Sequence, residues 1–431
     1  MKLWEKGINT EKIIEEFTVG NDRVLDLQLA RFDVLGSIAH AKMLASVGLI
    51  SKEELAGLDK ELNHLLQAIE SGDFEIEAGF EDVHSKVEYV LTEKLGEAGK
   101  KIHTARSRND QVLVDLHLFV KDEIEQIRQL VKSLFDRLIA LSNEHKDVLI
   151  PGYTHLQVAM PSSIGLWLGA YAESLIDDVY LLNAANKIAD QNPLGSAAGY
   201  GSSFPIDRQQ TTDLLGFSTL KYNSVAAQMS RGKLEKSLSF AMASIAGTLS
   251  KLAMDICLYM GQNFGFISFP DQLTTGSSIM PHKKNPDVFE LVRAKCNKIQ
   301  ALPSEFMAIT NNLPSGYHRD FQLLKESLLP SIESLKSCLT VSEYALSQLI
   351  VKEEVINDPK YDYLFSVEVV NELVTQGMSF RDAYKQVAED IANGTYNPQK
   401  TVNHTHMGSI GNLGNGDIEE KMESALLVNE N

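Results

Sequence analysis

One helical pattern dominates the middle of the chain. Beginning near Asp110, apolar residues recur in steps of three and four, with charged residues between them. They are Leu113, Leu116, Val120, Ile124, Ile127, Val131, Leu134, Leu138 and Leu141. A stripe of this period, sustained over about four heptads, is typical of a long amphipathic helix that packs in a bundle. A helix from about 110 to 144 would be on the order of 50 Å long.

Four further segments show the same period. One follows Pro161, a second covers about 229–262, a third opens at Pro286 and a fourth covers about 320–350. No sustained alternation of apolar and polar residues competes with this pattern, so we predict an all-α fold with a central bundle of long helices. The helices before about 107 are shorter, and after about 350 the chain changes to short elements with a polar end rich in glycine and asparagine. These changes suggest three domains: an N-terminal helical domain (1–107), the bundle (108–350) and a small C-terminal helical domain (351–431).

Composition narrows the class of function. The net charge is −18 over 431 residues, which argues against nucleic acid or an anionic membrane surface as a partner. The cysteines Cys257, Cys296 and Cys338 are far apart and lack metal-ligand spacing, as expected in a reducing compartment. The charged N-terminus does not resemble a signal peptide, and the uncharged stretch near 237–250 is too short to cross a bilayer. We therefore expect a cytoplasmic protein.

Three irregular segments between the helices carry polar chemistry. Arg106 and Arg108 stand in HTARSRND, directly before the longest helix, and suit carboxylate binding, although a solvated capping segment fits as well. His155 stands in PGYTHLQVAMP, where a lone histidine is usually structural. The third segment, TTGSSIMPHKKNPD, places hydroxyls and lysines before a helix start, with Asn285 as cap and Pro286 as the first helical residue. The alternative interpretation of this segment is a basic turn that is simply exposed to solvent.

The length of the predicted helix separates two of these segments. HTARSRND precedes it and PGYTHLQ follows it, so within one chain they would lie about 50 Å apart. If both serve one site, they must come from different chains packed antiparallel. The sequence therefore predicts a symmetric oligomer with active sites shared between chains.

Several motifs together resemble one enzyme family. GSSIMPHKKNPD is similar to the signature of the fumarase/aspartase superfamily, whose members release fumarate from a succinyl group. HTARSRNDQV, PGYTHLQ, EDVHSKVE (81–88) and NPLGSAAGYGSSFPIDR (192–208) resemble the argininosuccinate lyase branch. This resemblance covers about 25–350. It implies a homotetrameric carbon–nitrogen lyase without cofactor or metal, whose bundle is extended by tetramerisation, and which splits argininosuccinate into L-arginine and fumarate.

The resemblance also implies roles for individual residues. Ser277 would be the base, His155 the acid toward the leaving nitrogen, Glu290 the group that orients His155, and Lys283 a stabiliser of developing negative charge. Substrate contacts are expected from Arg106, Ser107, Asn109, Thr154, Asn285, Tyr317, Gln322 and Lys325.

The chain departs from the family pattern at some positions. Asn21 and Asp22 replace a frequent serine pair, Ala105 stands where glycine is usual, and MSRGK (229–233) keeps Arg231 without its usual acidic neighbours. Two alternatives therefore stay open. One is a related lyase acting on another N-succinyl amine, such as adenylosuccinate. The other is a non-catalytic structural protein on the same scaffold, against which the intact Ser277, His155, Lys283 and Glu290 argue.

Overall fold

Helices form most of the molecule. The structure is a computed structural model that describes residues 12–276 and 278–427. The α-helices within those residues are α1 Lys12–Val19, α2 Asp22–Leu25, α3 Ala30–Ser46, α4 Lys52–Glu70, α5 Val83–Leu95, α6 Glu97–Lys100, α7 Arg108–Glu144, α8 Ile164–Ala189, α9 Arg208–Leu214, α10 Ser224–Gln228, α11 Lys233–Met260, α12 Asp287–Ile299, α13 Leu302–Thr310, α14 Leu323–Leu346, α15 Ser366–Thr375, α16 Phe380–Ala392 and α17 Asn415–Leu427.

The strands are short and serve as connections. They are β1 Leu149–Thr154, β2 Gln157–Ser163, β3 Gln191–Asn192, β4 Thr219–Leu220, β5 Ile267–Ser268, β6 Thr275–Gly276, β7 Lys284–Asn285 and β8 Ile350–Val351. Each belongs to a two-stranded ladder, antiparallel for β1–β2, β5–β8 and β6–β7, and parallel for β3–β4. Because these ladders only join helices, the all-α prediction is confirmed.

The long helices lie where the apolar period predicts them. Helix α7 spans 37 residues, and every residue of its predicted stripe from Leu113 to Leu141 is buried. The stripes of α8, α11 and α14 are buried as well, for example at Leu168, Leu249 and Leu328. Burial of a continuous apolar stripe is what fixes a helix of this length, because intrinsic helix propensity alone contributes little.

Two local predictions were wrong. The segment 151–161, expected to be irregular, lies in the β1–β2 hairpin, in which Thr154 pairs with Gln157 across a two-residue turn. Helix α12 begins at Asp287 rather than Pro286, and the Pro286 carbonyl accepts its first helical hydrogen bond from Glu290 N at 3.0 Å. Asn285 therefore lies in β7 and does not cap the helix. Helix ends depend on such single contacts, which the apolar period does not reveal.

The contacts of the chain form two compact units. The first consists of the residues up to Ile127, Leu181–Ala243 and Ile299–Ser334, and the second of Arg128–Tyr180, Ser244–Lys298 and the residues from Leu335 onward. Helices α7, α8, α11 and α14 contribute residues to both units. The three-domain division at 107 and 350 stays a prediction.

The first unit has its main core among α3, α4 and α5. The buried residues of this core are Ala30, Val34, Ala41, Met43, Leu44, Ile50, Leu58, Leu62, Leu65, Val83, Val87, Leu91 and Ile102. A smaller cluster of Val114, Leu194 and Phe217 lies beside the first turns of α7. Together they hold the N-termini of α5 and α7 in place.

The second unit contains an aromatic cluster under the β1–β2 hairpin. The Tyr153 ring lies 5.5 Å from that of Phe264 and 6.4 Å from that of Phe266. Polar contacts join α8 to α11: Asp255 Oδ2 accepts from Trp167 Nε1 at 3.1 Å and from the Tyr171 hydroxyl at 2.6 Å. These contacts fix the base from which the hairpin projects.

Helix α11 contains a long apolar stretch. Within the described residues it alone is long and apolar enough to cross a membrane, and 44% of its most apolar stretch is buried inside the protein. The core helix of a folded domain meets the same criteria, so this finding is weak support for a membrane span.

Candidate active site

A polar cavity of about 190 Å³ lies in the first unit. Four residues predicted to contact substrate line it: Asn109, Tyr317, Gln322 and Lys325. The remaining lining residues are Asp22, Asp26, Glu81, Asp82, His84, Arg108, Val112, Arg231 and Arg319. They come from the N-terminal ends of α2, α5, α7 and α14, from the 3₁₀ helix Asp26–Gln28 that follows α2, and from the segments before α5, α11 and α14. Helix N-termini bring backbone N–H groups toward such a cavity, which favours negatively charged ligand groups.

The start of α7 is held by a buried carboxylate. Asp110 accepts backbone hydrogen bonds from Ser107 N at 2.8 Å, Gly195 N at 3.0 Å and Ala197 N at 2.8 Å. Burial raises the pKa of Asp110 to about 6, although these N–H groups favour its charged form. Asp110 thereby joins two motifs that are far apart in the sequence, HTARSRND and NPLGSAAGYG.

Two predicted substrate residues lie beside the cavity rather than in its lining. Arg106 is buried, and its Nη1 donates to Ser37 Oγ at 2.9 Å. Burial lowers the pKa of Arg106, and Asp33, Asp110 and Asp115 oppose this effect. Ser107 donates its backbone N–H to Asp110. In this structure both residues therefore support the first turn of α7.

Two arginines of the cavity share one acidic partner, Glu81. Arg108 Nη1 lies 3.2 Å from Glu81 Oε2 and 3.2 Å from Asp82 Oδ2, and its Nη2 donates to Ser85 Oγ at 2.6 Å. Arg319 Nη2 lies 2.9 Å from Glu81 Oε1. The EDVHSKVE motif is thus tied to α7 on one side and to the turn before α14 on the other.

Lys325 is held by two carboxylates. Its Nζ lies 2.9 Å from Asp22 Oδ1 and 2.6 Å from Asp26 Oδ1, and the side chain is almost completely buried. Burial alone would lower the pKa of Lys325, but Asp26 and Asp22 outweigh it and the net direction is upward. The ammonium group therefore stays charged. Arg231, also buried, pairs with Glu235 at 2.8 Å and donates to the Phe321 carbonyl at 2.9 Å.

His84 is the histidine of this cavity. Its Nδ1 lies 2.8 Å from Asp33 Oδ1 and 3.7 Å from Asp115 Oδ2. Burial would lower the pKa of His84, but Asp33, Asp115 and Asp82 raise it to about 9. At neutral pH the cavity thus has five cationic side chains and four acidic ones, and such a lining suits a small ligand that carries charges of both signs.

Asp33, His84 and Asp115 also form the one group of potential metal ligands close enough together in the described part of the chain, with ligand atoms within 4.8 Å of one another. With its pKa raised to about 9, His84 is charged at neutral pH, so Nδ1 carries a proton and donates it to Asp33. Arg106 adds a second positive charge to the cluster. We therefore interpret it as an ion-pair network and not as a metal centre.

The second unit presents His155 at the tip of the β1–β2 hairpin. His155 and Leu156 form its two-residue turn with φ of 54° and 59°. Two left-handed residues at these positions define a type I′ turn, which usually contains asparagine or glycine. Thr154 and His155 are both exposed, and Leu156 is 79% exposed. The turn therefore projects the imidazole away from the aromatic cluster below it.

The loop 274–287 lies in the same unit. Its ends are joined by the β6–β7 ladder, by Asn285 Nδ2 donating to Thr275 Oγ1 at 3.3 Å and by Thr275 N donating to Asp287 Oδ2 at 3.2 Å. Ser277, the predicted base, lies outside the described residues. Lys283 and Glu290 are exposed. Among the residues that the structure describes, no hydrogen bond or ion pair joins His155 to Glu290.

The motifs thus divide between the units. Asn109, Tyr317, Gln322 and Lys325 meet in the first, whereas Thr154, His155, Lys283, Asn285 and Glu290 belong to the second. Several charged cavity residues received no role from sequence reasoning, among them Asp26, Glu81, Asp82, His84 and Arg319. Three of them could have been identified from the sequence, because Glu81, Asp82 and His84 stand in the EDVHSKVE motif.

Comparison with known proteins identifies relatives of the whole chain. The family model described as Lyase matches residues 3–301. Argininosuccinate lyase of Parabacteroides distasonis is 60% identical over 425 residues, which cover 99% of this chain and 95% of the relative. Argininosuccinate lyase of Bacteroides thetaiotaomicron is 59% identical with the same coverage.

A solved structure supports the fold. The fumarate lyase:delta crystallin from Brucella melitensis, determined with cobalt bound, superimposes with a TM-score of 0.75 at 17% identity, covering 98% of this chain and 95% of the other. At this identity the likeness concerns the fold alone.

Proposed function

This chain belongs to the argininosuccinate lyase family of the fumarase/aspartase superfamily, and on that premise we propose that it splits argininosuccinate into L-arginine and fumarate. The observation that carries the proposal is the cavity of the first unit, which unites Asn109, Tyr317, Gln322 and Lys325 from two segments about 200 residues apart. All four were predicted to contact substrate, and the lining suits a ligand with charges of both signs.

The proposed reaction breaks a carbon–nitrogen bond in two stages. Ser277 removes a proton from the carbon next to a succinyl carboxylate, and the electron pair moves onto that carboxylate as a doubly charged aci-carboxylate. Collapse of this intermediate forms the double bond of fumarate and sends the carbon–nitrogen electron pair to the guanidino nitrogen. His155 donates a proton to that nitrogen, which completes the leaving group, and arginine departs.

The charge that develops on the aci-carboxylate needs a cationic surrounding. Lys283 and Asn285 stand at the base of the loop that carries Ser277, and α12 begins immediately behind them with its positive end toward the loop. The same surroundings favour the alkoxide of Ser277 and lower the barrier to its deprotonation. Glu290, one turn into α12, is proposed to orient His155 once the assembled site is closed.

We propose a homotetramer whose sites combine residues of different chains. Large apolar side chains next to the motifs of the second unit are exposed in the single chain, such as Leu156 at 79% and Ile279 at 83%. Exposed apolar side chains of this size at a functional segment favour burial against another chain. The three-domain division and a cytoplasmic location belong to the same proposal, and the three free cysteines agree with a reducing compartment.

The purified protein is expected to release fumarate from argininosuccinate, measured by fumarate absorbance. Ser277→Ala should lower kcat by about 10²- to 10⁴-fold, the contribution of a positioned acid or base. The adjacent Ser278→Ala is the matched control and should keep most of the activity, and both variants should keep the oligomeric state of the wild type. Near-normal turnover by Ser277→Ala would exclude this serine as the base.

A substrate panel separates the leading proposal from its alternatives. Adenylosuccinate and N-substituted aspartates that lack an amino-acid end should give no fumarate, since the mixed charges of the cavity suit an amino-acid end. Turnover of one of these compounds without turnover of argininosuccinate would assign the chain to another fumarate-releasing lyase. No turnover of any compound would favour a non-catalytic role.

A further inference from the structure

His84 occupies a special position in the cavity of the first unit. It follows Asp82, the N-cap of α5, and its ring is about 94% buried. Its Nδ1 is committed to Asp33, whereas the described residues offer Nε2 no hydrogen-bond partner. Since His84 lines the cavity and Nδ1 is bonded on the side of Asp33, Nε2 is the nitrogen available to a bound ligand.

Three other cations of the cavity have their counter-charges inside it, whereas Arg231 pairs with Glu235, which is not part of the lining. Arg108 and Arg319 pair with Glu81, and Lys325 pairs with Asp22 and Asp26; all three carboxylates line the cavity. The partners of His84 are different. Neither Asp33 nor Asp115 is part of the lining, so both lie behind the ring. The carboxylate that is hydrogen-bonded to the imidazolium therefore lies outside the lining, and Asp82 is the one lining residue among the carboxylates that raise the pKa of His84.

Charged groups from each neighbouring element act on His84. They are Asp33 from α3, Asp115 from α7, Asp82 from its own N-cap and His103 from the segment before α7. Arg106 and Arg108 act on the same carboxylates, Arg106 on Asp33 and Asp115 and Arg108 on Asp82. Of these, the carboxylates dominate, because Asp33 is in hydrogen-bond contact and Asp115 lies within 3.7 Å. With Nδ1–H donated to Asp33, a charged ring carries a second proton on Nε2 and donates there as well.

We propose that His84 is a substrate-binding residue whose Nε2–H donates a charge-assisted hydrogen bond to the α-carboxylate of the arginine end of the substrate, and that Asp33 is the positioning residue that keeps the ring oriented and protonated. This inference rests on the proposed function and adds a recognition element to it. An α-amino acid end fits here because its ammonium and carboxylate match the mixed lining, with Asp22 and Asp26 as acceptors for the ammonium group.

The first test compares arginine with agmatine, which lacks the α-carboxylate, as ligands of the full-length protein in calorimetric titrations. His84→Gln keeps a neutral donor but no charge. It should weaken arginine binding by about tenfold to 100-fold, the usual range for a lost hydrogen bond to a charged group, and leave agmatine binding within about threefold. Equal losses for both ligands, or no loss for either, would overturn the proposal.

The second test concerns Asp33 and uses pH. The folded-state pKa of His84, about 9, lies above the ordinary value of 6.5, so its charge is retained up to alkaline pH. Arginine affinity of the wild type should therefore be nearly constant from pH 6 to 8. In Asp33→Asn the pKa falls, and affinity should decrease over this range. A variant whose affinity follows the wild-type profile would exclude Asp33 as the positioning residue.

Both tests are independent of turnover. If wild-type protein fails to release fumarate from argininosuccinate but binds arginine as described, the proposed function fails and the assignment of His84 as a carboxylate-binding residue stands. If turnover is normal and the two binding patterns are absent, the assignment of His84 fails alone. Circular dichroism melting curves of His84→Gln and Asp33→Asn establish that each variant is folded before binding is compared.

Discussion

Ala105 adopts a left-handed backbone conformation three residues before Arg108. Its φ is 61°, a region that residues with a Cβ atom occupy at a cost of about 1–2 kcal/mol. The family usually has glycine at this position, and the left-handed φ gives the reason. The strained residue turns the chain from the 3₁₀ helix Lys101–His103 into α7, and the side chains of Arg106 and Arg108 depart from this turn in different directions.

Ala105→Gly is expected to raise the free energy of unfolding by about 0.5–1 kcal/mol, because relief of the left-handed strain exceeds the entropy that glycine adds to the unfolded chain. The midpoint of thermal unfolding measures this change. Ala140→Gly, at an exposed position inside α7, is the matched control and should lower stability by about 1 kcal/mol. A lower midpoint of thermal unfolding for Ala105→Gly would contradict backbone strain at Ala105.

At the level of single elements, helix α4 shows how local sequence fixes a boundary. Ser51 Oγ accepts from Glu54 N at 3.1 Å, and Glu54 Oε2 accepts from Ser51 N at 2.8 Å, which together form a capping box. The apolar residues Leu58, Leu62 and Leu65 of the same helix face the core of the first unit. The capping box and the apolar stripe indicate the same helix, and the capping box defines the residue at which it begins.

Ser51→Ala removes the side-chain acceptor of the capping box and should lower the free energy of unfolding by about 1 kcal/mol. Chemical denaturation of the purified variant measures this loss, and fumarate release should be unchanged because Ser51 is not part of the cavity. Lys52→Ala, at the next exposed position, is a control expected to change stability by less than about 0.5 kcal/mol. Equal stability of both variants would argue against the cap.

The β1–β2 hairpin is an element that the sequence did not predict. Its strands carry two prolines, Pro151 and Pro161, which face each other in the ladder, and its turn residues His155 and Leu156 are not the asparagine and glycine that signal a type I′ turn. Packing of Tyr153 against Phe264 and Phe266 holds the hairpin instead. Such long-range contacts override local propensity.

At the scale of the whole molecule, the predicted residues fall into two groups. The groups around Lys325 and around His155 belong to different compact units. Active sites shared between chains, as proposed, would bring one group of one chain to the other group of a neighbouring chain. This arrangement makes activity a property of the assembly, and it leads to a test that uses two inactive variants.

Lys325→Met and His155→Gln should each be inactive. The first leaves the carboxylates of Asp22 and Asp26 without their positive partner, and the second removes the proposed acid. When the two variants are co-expressed with different tags, mixed oligomers should regain part of the wild-type activity, because some sites then combine two intact groups. The fumarate assay on doubly affinity-purified oligomers measures this recovery. Mixed oligomers without activity would contradict sites shared between chains.

The all-α fold, the positions of the long helices and the residues of the motifs can be predicted from the sequence alone, because apolar period and motif spacing are local properties. Which polar groups meet becomes known only from the packing of the folded chain. Lys325 pairs with Asp26, 299 residues away, and His84 pairs with Asp33 and Asp115 from two other helices. Such pairs depend on how helices pack, and a period of 3.6 residues defines which face of a helix is buried but not the neighbour that it meets.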